Sequence, residues 1–305
     1  MIKPVSYLQI DQKWKAVDYS AKGEKTDIGE SGCGPSCMAM VIATLKDSLI
    51  TPVDTCAWAL KNGYKAPKQG TYYSYFVPQG KEYGIEVKRL NYNNLYGHPN
   101  YITHDVALDE IKKGNWIIAC MGKGLWTSSG HYVLWYGMSG NDVLINDPNS
   151  TKPNKLRADY DLFKSQVKYY FVVEVNVSPS DSLKKEWTAA KAQGITDGTF
   201  PAKYITREQV ATMIYRSLKS KKMAKVSEAW AWAKAEGITD GSNPKNNCTR
   251  EQAITMLYRA LTGKSMAAIS EAWAWARSES ITDGSNPKKN CTREQLAAFI
   301  IRKNQ

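Results

Sequence analysis

Runs of apolar positions set the first expectations. Residues 34–45 are rich in Met, Ala and Val and read as a helix, and 105–113 read as a second, amphipathic one. In the following stretch, the apolar and β-branched runs 116–121, 132–136, 143–146 and 169–175 predict strands. Ser139-Gly140-Asn141-Asp142 stands between two of them as a turn that suits an antiparallel hairpin. Helices first and an antiparallel sheet after describe an α+β domain.

The last third repeats itself. Ile195-Thr196-Asp197-Gly198 recurs at 238–241 and 281–284, and Thr206-Arg207-Glu208-Gln209 recurs at 249–252 and 292–295, each step being 43 residues. Each unit reads as helix, loop, helix. The first helix carries Trp187, Trp230 or Trp273 and is closed in two units by Gly194 or Gly237, since glycine tolerates the left-handed conformation after a helix. Ser280 takes that place in the third unit, so its helix end is expected to be less favourable. The second helix opens at Thr206, Thr249 or Thr292, a hydroxyl suited to capping free N–H groups. One unit is too small to bury its apolar face, so the three are expected to pack together. Cys248 and Cys291 stand where the first unit has Ile205 and read as small buried side chains. The stretch Asn176-Val177-Ser178-Pro179-Ser180-Asp181-Ser182 has linker composition. The expected division is a first domain over 1–176, a linker over 177–183 and an all-α, three-repeat module over 184–305.

Composition narrows the class. With 305 residues, 43% hydrophobic and 23% charged, the chain can bury cores for two globular domains, and its composition is that of a folded chain, not a disordered one. No run of about 18 apolar residues occurs, so no membrane span is expected. The N-terminus, Met1-Ile2-Lys3-Pro4-Val5-Ser6-Tyr7, lacks the apolar segment of a secretory signal, which leads us to expect synthesis in a cytoplasm. The six cysteines lack paired CxxC spacing, so reduced thiols and no zinc are expected. Residues 181–305 hold 21 Lys and Arg against 12 Asp and Glu, net +9, while 1–180 hold 20 against 17. A polyanionic partner for the repeats follows. The absence of a continuous basic stripe argues against nucleic acid.

The candidate chemistry lies in Gly32-Cys33-Gly34-Pro35-Ser36-Cys37. Proline just inside a helix start places Cys33 at the helix N-terminus, where the dipole and free N–H groups favour a thiolate and supply oxyanion donors. The flanking glycines are expected to let a substrate backbone approach closely. A thiolate needs a base. Of three histidines, His131 heads a strand in Ser129-Gly130-His131-Tyr132-Val133, whereas His98 in its turn and His104 before its helix suit surface or capping roles. Sixteen residues on, Asn146-Asp147-Pro148 ends the next strand, and in a hairpin Asp147 can return to His131 and orient its ring. Cys37, one turn on from Cys33, reads as helix packing.

These three runs resemble the C39-like peptidases, a papain-like group. The resemblance covers roughly residues 5–175 and implies an α+β fold with N-terminal helices and a central antiparallel sheet. It implies Cys33 as nucleophile, His131 as base, Asp147 as orienting group, and an upstream glutamine in the oxyanion hole. Tyr7-Leu8-Gln9-Ile10-Asp11-Gln12 points to Gln9, with Gln12 as the alternative. No metal or other cofactor is implied. The repeats resemble the S-layer homology module, a pseudo-threefold bundle that binds anionic secondary wall polymers. Its Thr-Arg-Ala-Glu signature appears here as Thr-Arg-Glu-Gln, which leaves Arg207, Arg250 and Arg293 as candidate anion ligands, with an edge of Trp232 or Trp275 able to stack on a sugar. Together these resemble a phage endolysin: a monomeric peptidoglycan hydrolase made in the host cytoplasm and acting on the bacterial wall after release. A host-encoded wall peptidase or autolysin and a catalytically silent wall-anchoring protein are the alternatives. Endopeptidase and amidase activities share this mechanism, and the wall polymer and host stay open.

Overall fold

The computed structural model describes residues 2–90, 101–175, 178–222, 224–265 and 267–304. The chain divides after Val175 into two units. In the first, helices α1 (Ile28–Ser31), α2 (Cys33–Leu45), α3 (Pro52–Lys61) and α4 (Phe76–Glu82) come before most of the sheet, and α5 (Tyr101–Lys112), α6 (Pro153–Leu156) and α7 (Tyr160–Gln166) are interleaved with it. The strands are β1 (Val87–Arg89), β2 (Trp116–Met121), β3 (His131–Ser139), β4 (Asp142–Asn146), β5 (Arg157–Asp159) and β6 (Val167–Val173). They form one sheet in the order β1-β6-β2-β3-β4-β5. Every pairing is antiparallel.

Helices cover both faces, which is why every residue of β2 is buried. On one face, α2 packs against β3, and Phe76 of α4 meets Tyr132 and Phe171 at ring distances of 4.7 and 4.5 Å. On the other, Ala107 and Ile111 of α5 and Phe163 of α7 join Trp135, Tyr170 and Val172 in one apolar cluster. The hairpin β3–β4 turns through Gly140, whose φ of 64° suits a residue without a Cβ.

All four strands expected from the pattern are present, 116–121 with both its ends and the other three with ends shifted by up to three residues. The helix expected at 105–113 begins earlier, at Tyr101. Thr103 is buried, and half-buried His104 lies inside the helix with Nδ1 2.8 Å from the Tyr170 hydroxyl. This corrects the expected surface or capping role of His104: a tertiary contact with the sheet carries the helix through residues whose local propensity is weak. His98 lies outside the described residues. The short elements α1, α3, α4, α6, α7, β1 and β5 leave little periodicity to read. Helix α3 is an exception, since Thr51 and Asp54 form a reciprocal capping box with Pro52 in the first turn.

In the second unit the helices are α8 (Lys184–Ala192), α9 (Arg207–Leu218), α10 (Val226–Ala235), α11 (Arg250–Thr262), α12 (Ile269–Ser278) and α13 (Arg293–Lys303). Packing runs across repeat boundaries: α10 lies on α9, α12 on α11, and α8 on α13, while α9, α11 and α13 touch one another. At their centre the Ile205 N–H donates to Cys291 O (2.9 Å), Cys291 N–H to Cys248 O (2.8 Å), and Cys248 N–H to Ile205 O (2.8 Å). The three repeats therefore close on one another in a cycle, with both thiols fully buried. Thr249 and Thr292 cap their helices reciprocally with Gln252 and Gln295, so the glutamine of each Thr-Arg-Glu-Gln is a capping residue.

The first helix of each repeat ends in a left-handed residue: Gly194 (φ 71°), Gly237 (φ 64°) and Ser280 (φ 57°). A Cβ is disfavoured there. Ser280→Gly is expected to stabilise the second unit by about 0.5–1 kcal/mol, seen as a raised calorimetric midpoint of that unit. An unchanged or lowered midpoint would show that Ser280 carries no strain.

Candidate active site

Asp27 caps α1 by accepting the Glu30 N–H (2.9 Å), Gly32 closes that turn onto Ile28 O (2.8 Å), and α2 opens at Cys33. Pro35 sits within the first turn, where no N–H is required. From Gly34 to Leu45 every residue of α2 is buried. Cys33 alone on this helix reaches the surface, and it does so in a cleft of about 410 Å³.

The flanking glycines serve packing, which corrects the expectation that they admit a substrate backbone. A Cβ on Gly32 would come within 2.6 Å of Ile28 O, and one on Gly34 within 3.2 Å of the Tyr132 ring. Their missing side chains let α1 and β3 approach the helix start.

His131 heads β3 and Asp147 follows β4 directly. The Leu134–Asn146 pairing ends β4 three residues short of His131, and Asp147 continues from there toward it. Buried His131 donates from Nε2 to Asp147 Oδ1 (2.7 Å), which leaves Nδ1 as the ring nitrogen that hydrogen-bonds the Cys33 thiol. Oδ1 also accepts the Asn149 N–H (2.8 Å). Burial alone would push the Cys33 thiol up, but the hydrogen bond and charge of His131, with the N–H groups of Tyr132 and Gly34, bring it below its ordinary value. Burial likewise disfavours charge on His131, yet the bonds to Asp147 and Cys33 raise its pKa to about 9. The pair titrates as a unit, and both shifts favour a thiolate beside an imidazolium. Cys37, by contrast, is pushed well above its ordinary value by burial and by the nearby charges of Cys33 and Asp147, and it packs inside α2.

Gln9 is buried. Its backbone N–H donates to Pro148 O (2.6 Å), one residue past Asp147, and its amide nitrogen donates to Gly29 O (2.7 Å). The reverse amide orientation would set two oxygens together, so Nε2 faces Gly29 with one N–H to spare. Gln12 is exposed. Of the two glutamines, Gln9 is the one held against α1, the turn that precedes Cys33.

The remaining cleft wall is the loop from Ala66 to Tyr73. Thr71 bonds the Tyr19 hydroxyl (2.7 Å) and its carbonyl accepts from the Tyr132 hydroxyl (3.3 Å). Beneath the loop, buried Lys65 donates to Ala66 O (2.9 Å) and Gln69 O (2.6 Å) and pairs with Glu24. That hydrogen bond, with backbone N–H groups of Ala21 and Lys68, holds the Glu24 carboxyl down to about 2. Lys68, Tyr72, Tyr73, Cys120 and Lys168 also line the cleft. Sequence pattern missed them because they come from separate segments, and Cys120 sits in a run that reads as core.

In the second unit, Arg207 donates to Asp240 Oδ1 (2.9 Å) and Ser242 O (2.9 Å), Arg250 to Asp283 Oδ1 (3.0 Å) and Ser285 Oγ (3.1 Å), and Arg293 to Asp197 Oδ1 (2.8 Å) and Thr199 O (2.6 Å). Each arginine thus clasps the Ile-Thr-Asp-Gly loop of another repeat, and the third returns to the first. Trp232 and Trp275 are half-buried against Tyr215 and Tyr258, each at 5.0 Å.

The family model of the Peptidase_C39 like family matches residues 8–175. Among solved structures, the peptidase domain of Streptococcus ComA, a bi-functional ABC transporter involved in a quorum sensing pathway, is similar at 20% identity with a TM-score of 0.34, over 48% of this chain and 93% of that one. No curated protein matches.

The geometry sets a pH dependence. Alkylation of Cys33 by iodoacetamide should stay fast below the ordinary thiol range, because the thiolate survives until pH falls through its lowered pKa. In His131→Ala, burial is no longer opposed by the imidazolium, so the onset of reactivity should move up by one or more pH units, about tenfold in rate per unit. Equal profiles for the two proteins would mean that His131 does not lower the thiol pKa.

Proposed function

Because the chain belongs to the Peptidase_C39 like family, we propose that it is a peptidoglycan hydrolase that cleaves an amide of the peptide stem or cross-bridge and is held on the wall by its repeats. It is a cysteine peptidase. The observation that carries the finer reading is the union, in one chain, of the hydrogen-bonded Cys33–His131–Asp147 series opening on a cleft and a repeat unit of net charge +9.

Cys33 thiolate attacks the amide carbonyl, forming a carbon–sulfur bond. The Gln9 amide and the N-terminal end of α2 face the developing oxyanion. His131 then gives its Nδ1 proton to the leaving amine as the carbon–nitrogen bond breaks. The neutral imidazole takes a proton from water, which attacks the thioester and releases the new carboxylate. Throughout, Asp147 fixes the ring and stabilises its positive form.

The repeats supply the address. An anionic secondary wall polymer suits their positive charge. Arg207, Arg250 and Arg293 order the three loops, and Trp232 and Trp275 offer ring edges to a sugar. The union of both parts is what an endolysin requires, with synthesis in a host cytoplasm and action on the wall after release.

Purified sacculi provide the test. Wild-type protein should release new amine termini identifiable by mass spectrometry, and Cys33→Ala should release none while still sedimenting with the walls. Asp147→Asn should lower kcat by about 10²–10⁴-fold. Sacculi stripped of their secondary polymer should no longer sediment Cys33→Ala. Lysis by Cys33→Ala would remove the nucleophile assignment, and undiminished sedimentation with stripped walls would remove the polymer.

A further inference from the structure

Apart from the Cys33–His131 pair, the charge in the cleft is one-sided. Its lining holds two lysines, Lys68 and Lys168, besides His131, and no carboxylate among the described residues. Glu24, which approaches from beneath, accepts the Lys68 backbone N–H and is paired with Lys65, so its charge is already matched. Lys68 lies exposed in the loop. Lys168 is placed more firmly. Its stem lies over Gly122, where an added Cβ would come within 3.2 Å of Cε, and its ammonium donates to Ser129 O (3.3 Å). Neither ammonium meets a carboxylate of the protein among the described residues.

Ser129 is two residues before His131, a span of at most about 7 Å. That is also the distance between alternate residues of an extended peptide. An ammonium held there, with N–H groups to spare, lies within reach of a side chain or branch carboxylate next to the bond that His131 serves. We propose that the cleft selects peptides carrying a free carboxylate on a residue adjoining the scissile amide, and that Lys168 is the specificity-determining residue that binds it, with Lys68 adding to the attraction. For the identity of the peptide, this rests on the peptidoglycan reading above. The cation itself does not.

The test uses the full chain and two pairs of probes. Iodoacetate and iodoacetamide differ by a negative charge, and Cys33 is the one cysteine of the six that is not buried, so alkylation at Cys33 is followed by mass spectrometry. In Lys168→Met the ratio of iodoacetate to iodoacetamide rates should fall about three- to tenfold relative to wild type, and in Lys168→Arg it should be kept. The second pair is stem-type peptides that differ by a carboxylate or carboxamide beside the cleavable amide. Wild type should favour the carboxylate in kcat/KM by about tenfold, and Lys168→Met should lose that ratio. An alkylation ratio unmoved by Lys168→Met overturns the proposal whatever the peptides do, as does a carboxylate preference that survives the substitution. A fallen ratio with neither peptide cleaved supports the anion-binding role of Lys168 and removes the peptidoglycan stem as substrate.

Discussion

A positive charge on a buried imidazole is the constraint around which the first unit is built. Burial opposes the charged forms of both Cys33 and His131, so the ion pair exists only because each partner supports the other and Asp147 supports the ring. That requirement fixes the architecture. One element must bring the sulfur to the open end of a helix, and two neighbouring strands must end close enough for the imidazole and carboxylate to meet. The antiparallel hairpin β3–β4 meets the second condition, its last pair Leu134–Asn146 letting Asp147 reach back to His131, and the glycines around Cys33 meet the first by letting α2 start against Ile28 and Tyr132.

What could be read from residues alone follows from the same division. Cys33, His131 and Asp147 stand at ends of strongly patterned elements, and an element's end is visible where its apolar run stops. The hairpin turn made their meeting inferable. The cleft walls were not legible, because Lys68 and Tyr73, Cys120, and Lys168 come from three segments that only the tertiary fold assembles. Gly32 and Gly34 were visible as glycines, but whether the space beside them is open or filled depends on which chain lies against them. His104 shows the opposite error: its polar neighbours suggested exposure, and the Tyr170 hydroxyl decides its place.

The repeats gave up their period at once and withheld their partners. Sequence identity between repeats defines helix, loop and helix, yet the packed pairs straddle the boundaries. The arginines show why. A guanidinium at the start of one helix is a ready anion ligand, and the nearest anion is the aspartate of a neighbouring repeat's loop, already oriented by its own backbone turn. One guanidinium arm on the aspartate and the other on the residue two positions on then make the loops part of the fold.

Because α8 rests on α13, the earliest helix of the second unit waits for the latest. Open solenoids can gain or lose a copy at either end, since each copy needs only a neighbour. A closed ring admits no such drift. A fourth copy inserted by duplication would find both neighbouring surfaces taken, and deletion of one would leave two unmatched faces, so the number three is kept by geometry and not by any single residue. During synthesis the same closure delays completion until the final helix has left the ribosome, and a nascent chain lacking it holds an apolar surface on α8 with nothing to cover it.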